Sequence, residues 1–358
     1  MAKNHELKNT KYNFEVRGIV AGVKRDKFYA SGIGKNGSAW NRIRFSLQVA
    51  PKEYVTVTLM GNVRDKVYVY NKKTKSTNSV KWDDRYREHD GRLIGIGVGL
   101  SRDENGKNEN TVLTEYDAVE YMHKNLEDGM SVYVRGMLSP HTFERDGNTR
   151  HSVDMIINSI YLCKDNIDFD SEDFERKASF DSKAMLFHSI DKETDADDRA
   201  TGRFVVSAYN VEYAAIEPIS FIIDEAHAKS LANPMKKAMK PCQAIEIDGT
   251  IVVNNFIEEV EDDDDLGCWG DADTIPQKRQ KSHSIVEFRI DHAYPGTIDK
   301  ETYSERELSA AIVSIAEAKK VSKQFGENTK KAVDIEPDDD EADAMWGDDD
   351  SSEYLPWD

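Results

Sequence analysis

The sequence predicts a mainly β protein of two tandem five-stranded Greek-key barrels, followed by a helix and a disordered acidic tail. Three observations predict it. Runs of period-two alternation recur along the chain. At 40–49, for example, Ile43, Phe45, Leu47 and Val49 fall on one side and Trp40, Arg42, Arg44, Ser46 and Gln48 on the other. Such spacing buries one face of a strand and leaves the other to solvent. The order strands, one helix, two strands occurs before an acidic stretch at 166–182 and again after it. The charge also divides the chain: residues 1–82 carry 17 Lys and Arg against 5 Asp and Glu, a net of +12, whereas 166–358 carry 21 against 46, a net of -25. At 358 residues the chain has room for two domains, each with its own core. They are drawn at 1–165 and 183–296, with 166–182 as linker, 297–330 as helical and 331–358 as tail.

The first strand is expected at 14–23, with Phe14, Val16 and Val20 on one face and Gly18 easing a bend. A loop at 24–38 follows, rich in Lys, Gly and Asn and carrying Lys24, Arg25, Phe28 and Tyr29. Its Gly32, Gly34 and Gly37 satisfy Gly-x-Gly-x-x-Gly, but no helix pattern follows and a dinucleotide site is not supported. After the strand at 40–49 come alternating runs at 54–60 and 67–70, where Tyr54, Tyr68 and Tyr70 lie opposite aliphatics. Residues 72–87 read as a second basic loop, with Lys72 and Lys73 near Trp82. In the strand at 91–100, Gly95, Gly97 and Gly99 leave one face bare to close approach.

Thr114 with Asp117 forms a capping box for a helix whose Ala118, Met122 and Leu126 share a face, with Gly129 past its end. Two strands close the first unit, with Arg135 outward on one and Phe143 in the connection between them, 141–149. In the second unit strands are expected at 183–190, 203–214, 218–223, 242–254 and 283–292, with a helix broken by Pro234 at 226–239. The stretch 258–273 holds nine acids and no base, and reads as an extended loop. Ser304 and Glu307 cap another helix, striped by Leu308, Ala311, Ile312, Ile315 and Ala318, which is expected to pack on the second barrel or on another copy of the chain. Beyond Lys331 the chain is too acidic and too poor in large apolar residues to fold alone.

Several function classes lack their residues. Asp224-Glu225-Ala226-His227 after an apolar run resembles a helicase metal box, but no Gly-x-x-x-x-Gly-Lys-Ser/Thr loop is present to cradle phosphates, and Asp224 reads as a helix cap. Consecutive Asp at 262–265 read as solvated charge, and the histidines have no ligand spacing, so neither a metal nor a cofactor is expected. No serine stands in a nucleophile elbow, and the chain reads as no enzyme. Cys163, Cys242 and Cys268 are far apart, which fits a reducing cytoplasm. There is no long apolar run and the N-terminus is polar, so neither a membrane span nor a secretory leader is expected.

What remains is a surface of rings and cations. Trp40, Phe28, Tyr29, Tyr54, Tyr68, Trp82 and Phe143 are candidate stacking platforms, and Lys24, Arg25, Arg42, Arg44, Lys72, Lys73 and Arg135 candidate phosphate contacts. Unpaired bases stack on aromatic rings while cations neutralise the backbone. The element order matches the oligonucleotide-binding (OB) fold, whose ligands cross the central strands. A basic OB barrel followed by an acidic tail with an apolar tip resembles the single-stranded DNA-binding proteins of bacteria and their phages, the phage replication type most of all. That resemblance implies binding and protection of single-stranded DNA in replication, recombination or repair within the bacterial host's cytoplasm. It also implies a tail that recruits replication and recombination proteins and competes with DNA. The matching tip residues are Asp348, Asp349, Asp350, Leu355, Pro356 and Trp357. In that family the tip ends in Pro-Phe; here Trp stands in place of Phe and Asp358 follows. A homo-oligomer is a further possibility. Two other readings stay open: a protein-interaction or DNA-mimic inhibitor acting through the acidic half, and a strand-annealing or recombination mediator.

Overall fold

The computed structural model describes residues 7–35, 37–145, 147–195, 197–212, 214–260 and 279–317. Mainly β structure runs through all of it. The first barrel begins with β1 (Asn13–Ala21), whose burial alternates residue by residue and places Phe14, Val16 and Val20 inward. β2 (Tyr29–Ile33), β3 (Ala39–Ala50) and β4 (Glu53–Asn62) form a meander in which Ile43, Phe45, Leu47, Val55 and Val57 fill the core. The loop expected at 24–38 therefore contains a strand, because Tyr29 to Ile33 find backbone partners along the open edge of β3.

An insertion of three short strands interrupts the barrel: β5 (Lys66–Asn71), β6 (Ser76–Lys81) and β7 (Arg92–Leu93), in the order β6-β5-β7. The basic stretch 72–87 is thus a hairpin turn, a strand and a 3-10 turn at Trp82–Asp84 rather than one loop. The barrel resumes with β8 (Ile96–Gly99), β9 (Thr111–Leu113) and α1 (Glu115–Asn125). The α1 N-cap, Thr114, accepts from the Asp117 amide as the capping box requires. The bare glycine face is occupied by the Leu113 backbone at Gly95 and by Tyr161 at Gly97 and Gly99. β10 (Ser131–Arg145) and β11 (Asn148–Leu162) pair as one long hairpin, so the connection expected at 141–149 is mostly strand. β10 returns to β1, and β11 runs parallel to β4 at Ile156↔Thr58 and to β8 at Ile160↔Val98. With β1 also paired to β3 at Val20↔Leu47, this closes a five-stranded circuit of β1, β3, β4, β11 and β10, with α1 preceding its last two strands.

The second barrel repeats this circuit. β12 (Ala178–Thr194), β13 (Ala200–Val211) and β14 (Ile216–Ile223) form a meander, followed by a 3-10 turn, a π turn and α2 (Asn233–Ala238), with Pro234 in its first turn. β15 (Ala244–Val260) and β16 (Arg279–Asp299) close it, β16 running parallel to β14 at Ile222↔Arg289. β12 starts inside the segment read as linker, because its first residues pair with β1: Asn13↔Asp181, Phe14↔Phe180 and Val16↔Ala178. One sheet therefore passes through both barrels. The two units also share a device. A Cβ at Gly136 would strike the Phe14 ring and the Ile156 carbonyl, and one at Gly249 would strike the Phe180 ring and the Arg289 carbonyl.

A final helix, α3 (305–317), is capped by Ser304, whose hydroxyl accepts from the Glu307 amide at 3.3 Å and donates to the Glu307 carboxylate at 2.7 Å. Its Leu308 and Ala311 pack with Tyr303, Leu186, Val211 and Leu7, and Ile315 is also buried, so the helix docks on the second barrel. The acidic stretch 258–273 begins as strand, with Glu258 opposite Lys281; its remainder, and the whole tail from 331, lie outside the described residues. Among the described residues no helix is long and apolar enough to cross a membrane.

Candidate nucleic-acid interface

The outer face of β3 and β4 collects the strongest group of sequence-predicted side chains. Alternation turns Trp40, Arg42, Arg44, Ser46 and Gln48 outward, and the register sets them opposite Asn62, Met60, Thr58, Thr56 and Tyr54. Directly opposed residues share a face, so Trp40, Arg42, Arg44 and Tyr54 lie on one surface. The Trp40 indole rests against Gly32 of β2, where a Cβ would come within 3.1 Å of the ring. Arg42 is half-buried, and its Nε–H has no hydrogen-bond partner. Burial and the like charge of Arg44 push its pKa below the usual guanidinium value, and Asp154 on β11 offsets part of this. A crowded cation with an unmet donor is suited to an added anion.

Other predicted residues are committed elsewhere. Phe28 is core, 5% exposed and packed against Phe45 and His123. Tyr29 stacks on His123 of α1 at 3.9 Å between ring centroids, and its hydroxyl donates to Glu120. Both were expected to stack on bases; they sit beneath α1 because Tyr29 is registered opposite the inward Ile43. Trp82 is also not an open platform: Arg85 covers its ring at 4.5 Å and Tyr116 meets it edge-on. Arg135 lies on the sheet between the barrels, paired with Glu15 at 3.4 Å, and is separate from the β3–β4 face. Lys24 and Arg25 are exposed in the turn after β1, and Phe143 is half-buried beside His141 on the β10–β11 arm. Tyr68, Lys72 and Lys73 are exposed on the insertion.

The corresponding face of the second barrel differs in charge pairing. Its β13 presents Arg203, Val205, Ser207 and Tyr209. Arg203 donates to Glu287 at 2.8 Å and lies 3.4 Å from Glu193, while Arg289 reaches Asp224 at 3.0 Å and Glu287 at 3.2 Å. Burial raises the Glu287 pKa, but Arg203 above all, with Asn254 and Arg289, outweighs it and holds the carboxyl below its usual range. Asp224, expected as a helix cap, makes no side-chain cap bond and serves this network instead. The Arg203 Nε–H, like that of Arg42, lacks a hydrogen-bond partner, but it lies 3.4 Å from Glu193 and 3.8 Å from Asp224, and two arginines neutralised by neighbouring carboxylates have little charge left to offer a phosphate.

A family model described as YorF matches residues 11–331. No curated protein matches the sequence. Among solved structures, the chain is similar to the wild-type single-stranded DNA binding protein from Thermus aquaticus at 10% identity, covering 80% of this chain and 93% of that one with a TM-score of 0.38. It is also similar to the small single-stranded DNA-binding protein from Streptomyces coelicolor, at 14% identity, 43% and 94% coverage and a TM-score of 0.19. A third, the Plasmodium falciparum SSB complex with ssDNA, has 12% identity, 44% and 97% coverage and a TM-score of 0.19.

Proposed function

The chain belongs to the YorF family, and we propose that it binds single-stranded DNA without catalysis, on the outer face of β3 and β4. The observation that carries this reading is Arg42, half-buried beside Arg44 with an unmet Nε–H, two residues along the strand from Trp40. Bases stack on the rings, and the guanidinium groups meet the phosphates between them. The half-buried setting raises the gain, since a phosphate relieves the like-charge repulsion. The solved structures named above are single-stranded DNA-binding proteins, but the reading rests on this face rather than on them. The second barrel, with its arginines already paired, serves as scaffold.

The acidic tail competes for the same face. It carries 12 acids from Asp334 onward and no Lys or Arg, and its tip at Leu355, Pro356 and Trp357 suits a partner pocket in the replication or recombination machinery. Truncation after Lys331 is expected to tighten DNA binding, most at low ionic strength where screening is weakest; unchanged or weaker affinity there would remove the competition from the account.

The central test is fluorescence anisotropy of a labelled dT oligonucleotide and of its duplex, titrated with the full chain at several salt concentrations. Binding to the single strand that weakens steeply with salt is expected. Arg42→Ala and Arg44→Ala should each lower the log-log salt slope by roughly 0.7, the value for one phosphate contact on a single strand. No binding by the full chain or by the chain ending at Lys331 would sink the proposal.

A further inference from the structure

The insertion carries a face of its own. Cross-strand partners share a face, so Lys66, Tyr68 and Tyr70 of β5 line up with Lys81, Ser79 and Thr77 of β6, and Tyr70 with Arg92 of β7. Burial along β5 alternates strictly: Val67 and Val69 are buried, while Tyr68 is 52% and Tyr70 41% exposed. Ile94, 53% exposed, is tied to the Tyr68 carbonyl by its amide. Among the described residues Lys66, Lys81 and Arg92 make no ion pair, whereas the neighbouring Arg64, Arg85 and Arg87 are each paired with an acid. A small sheet has little reason to expose two tyrosines among unneutralised cations unless something covers them.

The face is held in place rather than tethered. Arg85 is bound by both oxygens of Asp117, at 2.7 and 3.3 Å, and Tyr86 donates to the same carboxylate at 2.6 Å. Trp82 packs on Tyr116, which fastens the insertion to the first turn of α1. The hairpin tip is fixed as well, since the Asn71 side chain accepts from the amides of Lys73 and Thr74 and so presents Lys72, Lys73 and Lys75. The root is close to the barrel face. β5 starts four residues after Asn62, the cross-strand partner of Trp40, which is at most roughly 14 Å of chain.

We propose that the insertion is a second stacking platform for single-stranded nucleic acid, onto which a strand leaving the β3–β4 face at Trp40 continues. The inference rests on the β3–β4 reading and extends it. Tyr68 and Tyr70 are two residues apart on one face, about 6.6 Å along the strand, and each takes a base while Lys66, Lys81 and Arg92 meet the phosphates. Affinity should therefore keep rising with oligonucleotide length beyond what the barrel face alone can cover.

The test is a dT length series with the full chain, its Tyr68→Ala/Tyr70→Ala variant and its Tyr68→Phe/Tyr70→Phe variant, each checked for an unchanged melting temperature. The Ala variant should bind short oligonucleotides as the wild type does, lose about tenfold or more on long ones, and reach its plateau at a shorter length; the Phe variant should restore the wild-type curve. Arg42→Ala/Arg44→Ala should instead lose affinity at every length. An Ala variant whose length dependence matches the wild type overturns the second platform while leaving the barrel face standing. Wild-type chain that binds no single strand overturns both.

Discussion

Arg42 and Arg203 occupy comparable outward positions at the start of the second strand of each barrel, and their surroundings set their roles. The charges acting on Arg42 are the like charge of Arg44 and the smaller opposing one of Asp154; around Arg203 they are the carboxylates Glu287, Glu193 and Asp224. Only the first has an incentive to recruit an anion. Trp40 depends on a neighbour in a different way. Its indole lies where any side chain at Gly32 would stand, so Gly32→Val is expected to push the ring off its seat without disturbing the core beneath. Anisotropy should show weaker DNA binding at an unchanged melting temperature; an equal affinity would mean that Trp40 does not stack on a base.

At the scale of elements, the attachment of the insertion to α1 turns on Asp117. Burial raises its pKa, but hydrogen bonds from Arg85, Tyr86 and Thr114 outweigh that and hold the carboxyl below its usual range. The sign follows. A carboxylate with a depressed folded-state pKa contributes stability in full above the unfolded value near 3.9, and that contribution is lost as pH falls through the folded value. Limited proteolysis at 82–92 is therefore expected to accelerate as pH drops below about 4. Asp117→Asn should show faster cleavage already at neutral pH, with a flatter response to acid. Cleavage rates in Asp117→Asn equal to wild type at pH 7 would mean that Trp82 and Tyr116 hold the insertion without the ion pair.

On the scale of the whole molecule, the two barrels are bound into one unit. β1 pairs with β12, and the segment before β1 crosses onto the second barrel. Leu7 joins its apolar cluster, the Thr10 amide donates to the Val211 carbonyl at 2.9 Å, and the Tyr12 hydroxyl donates to the Tyr209 carbonyl at 2.9 Å. Scanning calorimetry is expected to show a single cooperative transition. Tyr12→Ala, which empties a fully buried aromatic site, should cost about 3 to 5 kcal/mol and lower the melting temperature of both barrels together. Two separate transitions, with only one shifted by Tyr12→Ala, would show that the barrels unfold independently.

Much of this architecture was legible in the chain itself. Alternation places the core residues of β1, β3 and β4 correctly because a strand with one buried face must repeat every two residues, and the caps of α1 and α3 follow from Thr114–Asp117 and Ser304–Glu307. The outward arginines of β3 follow by the same rule. Period two cannot say whether an outward ring meets solvent or another element, and for that reason Phe28, Tyr29 and Trp82 read as platforms while tertiary packing commits them to α1 and Arg85. Nor can it report partners distant in sequence. The pairing of Arg135 with Glu15, the neutralised arginines of the second barrel and the shared β1–β12 edge arise only when strands distant in sequence become neighbours, since electrostatic pairing and strand hydrogen bonds act through space and not along the chain.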